Sequence, residues 1–220
     1  MISIAIDGPA GAGKSTIAKK LSKDLGYIYV DTGAMYRAIA LYLIKNNIQA
    51  DNDAEISKAL DTIEVTIGYK DGAQRIYLNN EDVTAFLRTE EVGNMASKSS
   101  ANPKVRAKLT ELQRQLARKE NVVMDGRDIG TVVLPDAQVK IYLTASSKVR
   151  AKRRFDELTA KNEECDLDKI EQDIIQRDHQ DMTREIAPLK QAEDAVLLDS
   201  SDMTIDEVIN AMKKIVEEKM

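Results

Sequence analysis

The run Gly8-Pro9-Ala10-Gly11-Ala12-Gly13-Lys14-Ser15-Thr16 puts closely spaced glycines before a lysine and two hydroxyls. That mixture suits polyphosphate chemistry. Residues without a Cβ let the backbone approach an anion, so successive N–H groups can point at it. A helix beginning at once afterwards adds the positive end of its dipole. In such a loop the lysine reaches the β- and γ-phosphates and the next hydroxyl joins a Mg²⁺ shell; here these are Lys14 and Ser15. A Gly-rich strand-to-helix turn could also be purely structural. The complete G-x-x-x-x-G-K-S spacing, after Ile2-Ser3-Ile4-Ala5-Ile6 and before an amphipathic run, argues instead for a bound nucleoside triphosphate.

Three further charged groups follow apolar runs. Asp31-Thr32-Gly33-Ala34-Met35-Tyr36-Arg37 opens a helix that Thr32 can cap, with Arg37 in its first turns. Alone, an arginine such as Arg37 is more often a solvated surface residue. In Asp125-Gly126-Arg127-Asp128-Ile129-Gly130, glycines on both sides of an Arg-Asp pair suggest turns that present the pair to a ligand. Ile170, Ile174, Arg177, Asp181 and Arg184 fall on one helical face. Its apolar half points inward. Its charged half either emerges into solvent or lines a charged cleft, because burying unpaired charge costs several kcal/mol. Arg150, Arg153 and Arg154 lie on a helix that Ser146 or Ser147 could cap, either as a solvated face or as a lid over triphosphate oxygens. His179, with no second histidine in the chain, reads as an exposed side chain.

The elements that must hold these residues are legible as five apolar runs, Ile2–Asp7, Tyr27–Asp31, Val122–Asp125, Val139–Thr144 and Ala195–Asp199. Continuous apolar character suits parallel strands covered on both faces, and helical patterns between them predict an α/β fold. Ligands in such sheets sit at the carboxyl ends of the strands, where Asp7, Asp31, Asp125 and Asp199 would gather unless they merely cap turns. Ile17, Leu21 and Leu25 predict a helix stopped by Gly26. Asn102 and Pro103 predict the start of another, with the stripe Val105, Leu109, Leu112 and Leu116. Ile63, Val65, Ile67 and Tyr69 alternate, Asp71-Gly72 supplies a turn and Ile76-Tyr77-Leu78 returns, which predicts an inserted hairpin.

Length and composition agree with one domain, since 220 residues that are 43% apolar can bury a sizeable core. No apolar run is long enough for a membrane span, and no signal peptide is expected. The single Cys165 excludes an internal disulfide or a cysteine metal cluster and fits a reducing cytoplasm. A net charge of −5 recruits neither nucleic acid nor acidic membranes, so an anionic substrate needs local basic clusters.

Asp31–Arg37, Asp125-Gly126-Arg127-Asp128-Ile129-Gly130-Thr131-Val132-Val133 and Ala187-Pro188-Leu189 resemble the bacterial cytidylate kinases, a nucleoside monophosphate kinase family. The similarity spans almost the whole chain, whereas the Gly8–Thr16 loop is shared by many NTPases. The resemblance implies a P-loop NTPase α/β fold with a five-stranded parallel sheet flanked by helices. It implies one kinase domain over 1–220, with a monophosphate-binding insertion at about 62–98 that contains the hairpin and a helical lid at about 148–166. The implied reaction moves a phosphoryl group from ATP, with Mg²⁺ at Ser15, to CMP or dCMP. ATP contacts are implied for Gly8, Pro9, Ala10, Gly11, Ala12, Gly13, Lys14, Ser15 and Thr16.

By the same resemblance, Ser97, Arg106 and Asp128 match the residues that read cytosine. Arg37, Arg127 and Arg184 match groups around the monophosphate, and Arg177 and Asp181 match contacts to phosphate or sugar. Thr32 stands where serine is common and keeps the hydroxyl. Lys14, Arg127, Arg153 and Arg184 are the implied catalytic charges. The expected partners are ATP and CMP or dCMP, with no nucleic acid, no membrane and a monomeric chain in the cytoplasm. Another acceptor, such as UMP or a metabolite hydroxyl, stays open, as does a nucleotide-dependent switch, although no Asn-Lys-x-Asp guanine signature is present. The Ser200–Thr204 turn is the candidate for adenine contact.

Overall fold

The five apolar runs pair as one sheet in a computed structural model that describes residues 1–70 and 72–220. In chain order, β1 (Ser3–Asp7) leads through the glycine loop to α1 (Lys14–Leu25), β2 (Ile28–Asp31) and α2 (Thr32–Lys45). Next come α3 (Asp53–Leu60), β3 (Val65–Lys70), β4 (Ala73–Leu78), β5 (Glu81–Asp82), α4 (Glu90–Ser99) and α5 (Pro103–Lys119). The remainder is β6 (Val122–Gly126), β7 (Val139–Thr144), α6 (Ser147–Thr159), α7 (Leu167–Thr183), β8 (Val196–Asp199) and α8 (Ile205–Lys219). The five-stranded parallel sheet has the order β2-β6-β1-β7-β8, with Asp7 level with Gly126 on one side and Tyr142 on the other. The described chain divides into two compact units, 1–29 with 119–220, and 30–118.

In the first unit, β1 and β6 are buried along their whole length, which is why they read as unbroken apolar runs. Ile4, Ile6, Leu21, Val123, Ile141 and Met212 share one core, and each such side chain contributes about 1.5–3 kcal/mol when removed from water. Gly26 ends α1 with φ 69°, and the N–H groups of Gly26 and Tyr27 close back on the Lys23 and Ser22 carbonyls.

The second unit contains the antiparallel sheet β3-β4-β5, whose first two strands pair from Val65 with Leu78 to Lys70 with Ala73. Gly72 has φ 71°, as a tight hairpin needs; Asp71, the other expected turn residue, lies outside the described residues. The short β5 carried no sequence signal. The first turn of α2 corrects one expectation. Asp31, not Thr32, caps the helix by accepting the Ala34 N–H, and Thr32 is the first helical residue. Asn102 caps α5 as expected, yet the fully buried seam of that helix runs through Val105, Leu109, Gln113 and Ala117, with Leu112 and Leu116 half-buried.

Asn102 Oδ1 accepts the N–H groups of Lys104 and Val105, and its Nδ2 donates to Asp53 Oδ1 at 2.7 Å. Asn102→Ala is therefore expected to lower unfolding free energy by about 1–2 kcal/mol. Urea denaturation reads this directly; an unchanged midpoint would show that the cap contributes nothing.

Candidate functional site

At the end of β1 the backbone must pass directly against β7. Gly8 has φ 147°, and a Cβ there would stand 1.9 Å from the Leu143 carbonyl oxygen, so only glycine fits. Lys14 is buried, and its Nζ donates to the carbonyls of Gly8 and Pro9 at 2.7 Å each. Burial and the neighbouring Arg127 charge hold this ammonium well below the usual lysine range, against the opposing pull of Asp125, Asp7 and Asp181. Gly13 starts α1 with no side-chain cap, and no acidic residue lies in that first turn, among the described residues. Ser15 Oγ donates to Asp125 Oδ2 at 2.9 Å, and the Tyr29 hydroxyl donates to Asp125 Oδ1 at 2.8 Å. A hydroxyl beside a carboxylate is an oxygen donor set that suits a hard divalent cation. Thr16 is exposed.

Asp7 spans from this loop to the Arg127–Asp128 segment. Its buried carboxylate accepts the N–H groups of Ile129 and Gly130 at 2.8 and 2.7 Å, anchoring a π-helical turn, Ile129–Val133. The chain bends at Arg127 and Asp128, as the flanking glycines suggest, but not through left-handed glycines. Gly126 is the last residue of β6, and neither it nor Gly130 has a positive φ. A Cβ at Gly130 would crowd Lys140 Cδ at 3.2 Å and touch Asp7 Oδ2 at 3.4 Å, so a larger residue there would require the Lys140 side chain to shift.

The charged half of the α7 stripe turns inward. Arg127 Nε donates to Asp181 Oδ2 at 2.9 Å, and Arg184 lies 3.7 Å from Asp181 Oδ1 and 3.5 Å from Asp128 Oδ1. Burial alone would raise the Asp181 carboxyl, but Arg127, Arg184 and Arg177 hold it below the usual range. Arg127, Asp128, Asp181 and Arg184 thus meet in one net, with half-buried Arg177 near it.

Sequence reasoning missed Asp178. Arg150 is buried at the start of α6, and its guanidinium donates to Asp178 Oδ2 at 2.6 Å, to the Ala145 carbonyl and to the Ala10 carbonyl of the glycine loop. A signal was available: Asp178 continues the Ile170, Ile174 spacing at i+8. Arg150 therefore braces the loop from behind. Arg153 donates to the Ser200 carbonyl at 2.7 Å, Arg154 pairs with Glu157 on the surface and His179 is exposed. In the Ser200–Thr204 turn, Ser200 Oγ donates to the Thr144 carbonyl, and Thr204 forms a reciprocal cap with Glu207.

The other expected residues belong to the second unit. Thr32 is buried, and Arg37 folds back over Gly33, where a Cβ would stand 3.0 Å from Arg37 Nη1. Asp31 accepts from Arg88 Nη2 at 2.8 Å, and Gln74 bonds to both its N–H and its carbonyl. Ser97 is half-buried on α4. Arg106 is buried with its guanidinium 5.5 Å from the centroid of the Tyr36 ring. Among the described residues, no helix is long and apolar enough to cross a membrane.

A family model described as Cytidylate kinase matches residues 4–218. The cytidylate kinase of Caldicellulosiruptor saccharolyticus is 51% identical over 97% of this chain and 95% of its own length. That of Carboxydothermus hydrogenoformans is 49% identical over 98% and 97%. Among solved structures, an uncharacterised protein from Eubacterium ventriosum superposes with a TM-score of 0.56 at 13% identity, covering 99% of both chains. A gluconokinase from Sinorhizobium meliloti gives 0.50 at 13% identity, covering 99% of this chain and 93% of its own. These two likenesses speak for the fold alone.

Two measurable consequences follow from the buried charges. Burial, partly offset by its two N–H donors, raises the Asp7 carboxyl from 3.8 to about 6. Between those values the folded protein keeps a proton that the unfolded chain has lost. Stability therefore falls as pH rises through this window, by up to about 3 kcal/mol. The unfolding free energy of wild type relative to Asp7→Asn should fall by that amount from pH 4 to pH 7; a difference that does not change with pH refutes it. Separately, Arg150→Met leaves Asp178 buried without its partner and should cost about 3–5 kcal/mol, with Arg150→Met/Asp178→Leu recovering most of the loss. Equal stability of the single and double variants would show that Asp178 finds another counter-charge.

Proposed function

The chain belongs to the cytidylate kinase family, whose members phosphorylate CMP and dCMP with ATP, and we propose how its residues divide that work. A phosphate oxygen of CMP attacks the γ-phosphorus of ATP in line, the bond to the β–γ bridging oxygen breaks, and ADP leaves. The nucleophile is already ionised, so no general base is required. Alignment and charge neutralisation are the protein's contribution.

In this reading the Gly8–Thr16 backbone and the uncapped start of α1 cradle the ATP phosphates. Lys14 leaves the loop carbonyls for phosphate oxygens, whose negative charge favours its ammonium form. Ser15, with Asp125 behind it, would hold Mg²⁺, which when bound neutralises phosphate charge. Arg127 and Arg184 face the transferring group and the CMP phosphate, with Arg37, Arg177 and Asp181 as further monophosphate or sugar contacts. Arg153 is assigned to the triphosphate, which requires it to leave Ser200. Thr32, Ser97, Arg106 and Asp128 are assigned to CMP, the last three to cytosine. We treat 1–220 as one kinase domain with an insertion at about 62–98 and a lid at about 148–166, working as a cytoplasmic monomer. The lone Cys165 and the net charge of −5 support the compartment and the lack of a nucleic-acid partner.

The observation that carries the reading is the Arg127–Asp181–Arg184–Asp128 net, built from family-motif residues within electrostatic reach of Lys14. Base selection tests it. UMP presents O4 where CMP has an amino donor and N3–H where CMP has an acceptor. A carboxylate that takes the amino donor would meet an oxygen instead. Asp128→Ala should lower kcat/KM for CMP about 100-fold and for UMP about tenfold or less, at saturating ATP. An equal loss for both acceptors would place Asp128 in phosphate geometry and remove its cytosine role.

A further inference from the structure

The turn after α7 holds a backbone conformation that its residue disfavours. Among the described residues, five without glycine's freedom take positive φ, and four are asparagines, Asn47, Asn79, Asn80 and Asn162. Asparagine tolerates this region through local hydrogen bonds from its side chain. The fifth is Ala187, φ 50°, which has a Cβ and no such bond to offer. Outliers of this kind persist only where surrounding contacts over-determine them, and they cluster at functional sites.

Those contacts can be named. The Ala187 carbonyl accepts from Arg184 Nε at 2.7 Å. Two residues on, the Leu189 N–H donates to the Asp181 carbonyl at 2.7 Å, and the Leu189 side chain is buried. Pro188 between them pushes the residue before it toward extended backbone at negative φ, so the two hydrogen bonds and the buried Leu189 hold Ala187 against that preference. The chain thus doubles back on the last turn of α7 and grips both Asp181 and Arg184, two members of the charged net. With Nε fixed, the remaining guanidinium nitrogens can point in only one plane, and they lie 3.7 Å from Asp181 Oδ1 and 3.5 Å from Asp128 Oδ1. Because a guanidinium is a rigid planar fork, holding one corner sets the direction of the others.

We propose that Ala187 is a positioning residue for phosphoryl transfer, its positive-φ backbone turning a carbonyl onto Arg184 and so aiming that guanidinium at the CMP phosphate. The inference rests on the reading of Arg184 as a monophosphate-binding group. It makes the positive φ a requirement of CMP binding, not of ATP binding.

Steady-state kinetics with each nucleotide varied in turn tests this on the full-length protein. A β-branched residue is a strong outlier at positive φ. Ala187→Val should therefore push the turn out of shape, raising the KM for CMP about tenfold while the KM for ATP stays within about twofold. Ala187→Gly adopts the same backbone without a Cβ and should retain most of the affinity for CMP. Should the valine variant fail to fold, Pro188→Gly frees the same turn without opening the core and should raise the KM for CMP in the same selective way. A folded Ala187→Val or Pro188→Gly protein with unchanged CMP affinity, or with equal losses for both nucleotides, overturns the proposal. Arg184→Ala run in parallel separates the two levels. If it leaves the KM for CMP unchanged, the role of Arg184 fails and the turn's role with it; if it raises that KM and Ala187→Val does not, the turn alone is wrong.

Discussion

Charge taken out of water is the constraint on which the first unit's ligand edge depends. Lys14, Asp7, Asp128, Arg150, Asp178 and Asp181 are all buried, and Arg127 and Arg184 are half-buried. Each ion removed from water costs several kcal/mol unless a neighbour compensates, so these residues can exist there only as a fitted set. Arg127 answers Asp181, and Arg150 answers Asp178. Asp7 has no cation in bonding contact among its described hydrogen bonds and is met by two backbone N–H groups instead. Burial, which these two N–H groups only partly offset, pushes its carboxyl up to about 6, whereas Asp181, facing guanidinium groups, is held low.

The same fitted charges tie the glycine loop to the Arg127–Asp128 segment and to α7. Asp7 ends a fully buried strand and begins the glycine loop, yet its oxygens hold the segment that carries Arg127 and Asp128. Arg150 reaches from α6 to a loop carbonyl and to α7. Phosphate loop and arginine net therefore share supports, and an error in one displaces the other. On the proposed reading this is useful, since in-line transfer requires donor and acceptor phosphates to be aligned within a fraction of an ångström.

What could be read from the sequence was local. The five strands, the Gly26 stop of α1, the Asn102 cap of α5 and the hairpin each follow from patterns within a few residues, and the structure places them where those patterns predict. The glycine loop was legible for the same reason. Long-range pairings were not. Nothing near Asp7 announces Ile129 and Gly130 as its donors, and Asp178 lies one position from the chosen stripe. Whether Asp31 or Thr32 caps α2 depends on where β2 ends, an uncertainty of one residue that local propensity does not resolve. The positive φ of Ala187 is the least legible of all, because alanine by itself argues against it.

The way the two arginines of the net are anchored bears on how such a site can receive an anion. Arg127 spends Nε on the Asp181 carboxylate and Nη1 on the Gly126 carbonyl, so its counter-charge is also one of its anchors. Arg184 spends Nε on a neutral carbonyl, that of Ala187. A neutral acceptor fixes direction without cancelling charge. On the proposed reading, an incoming phosphate would compete with carboxylates for the charge of Arg184 but not for its orientation. The guanidinium can exchange one set of anionic neighbours for another while its plane stays in place, and little reorganisation is required when charge builds up in the transition state. A lysine at this position could not do the same, because an ammonium has no fixed fork to orient. On the proposed reading, the strained turn and the arginine act together: the residue supplies a rigid plane, and the backbone sets its direction.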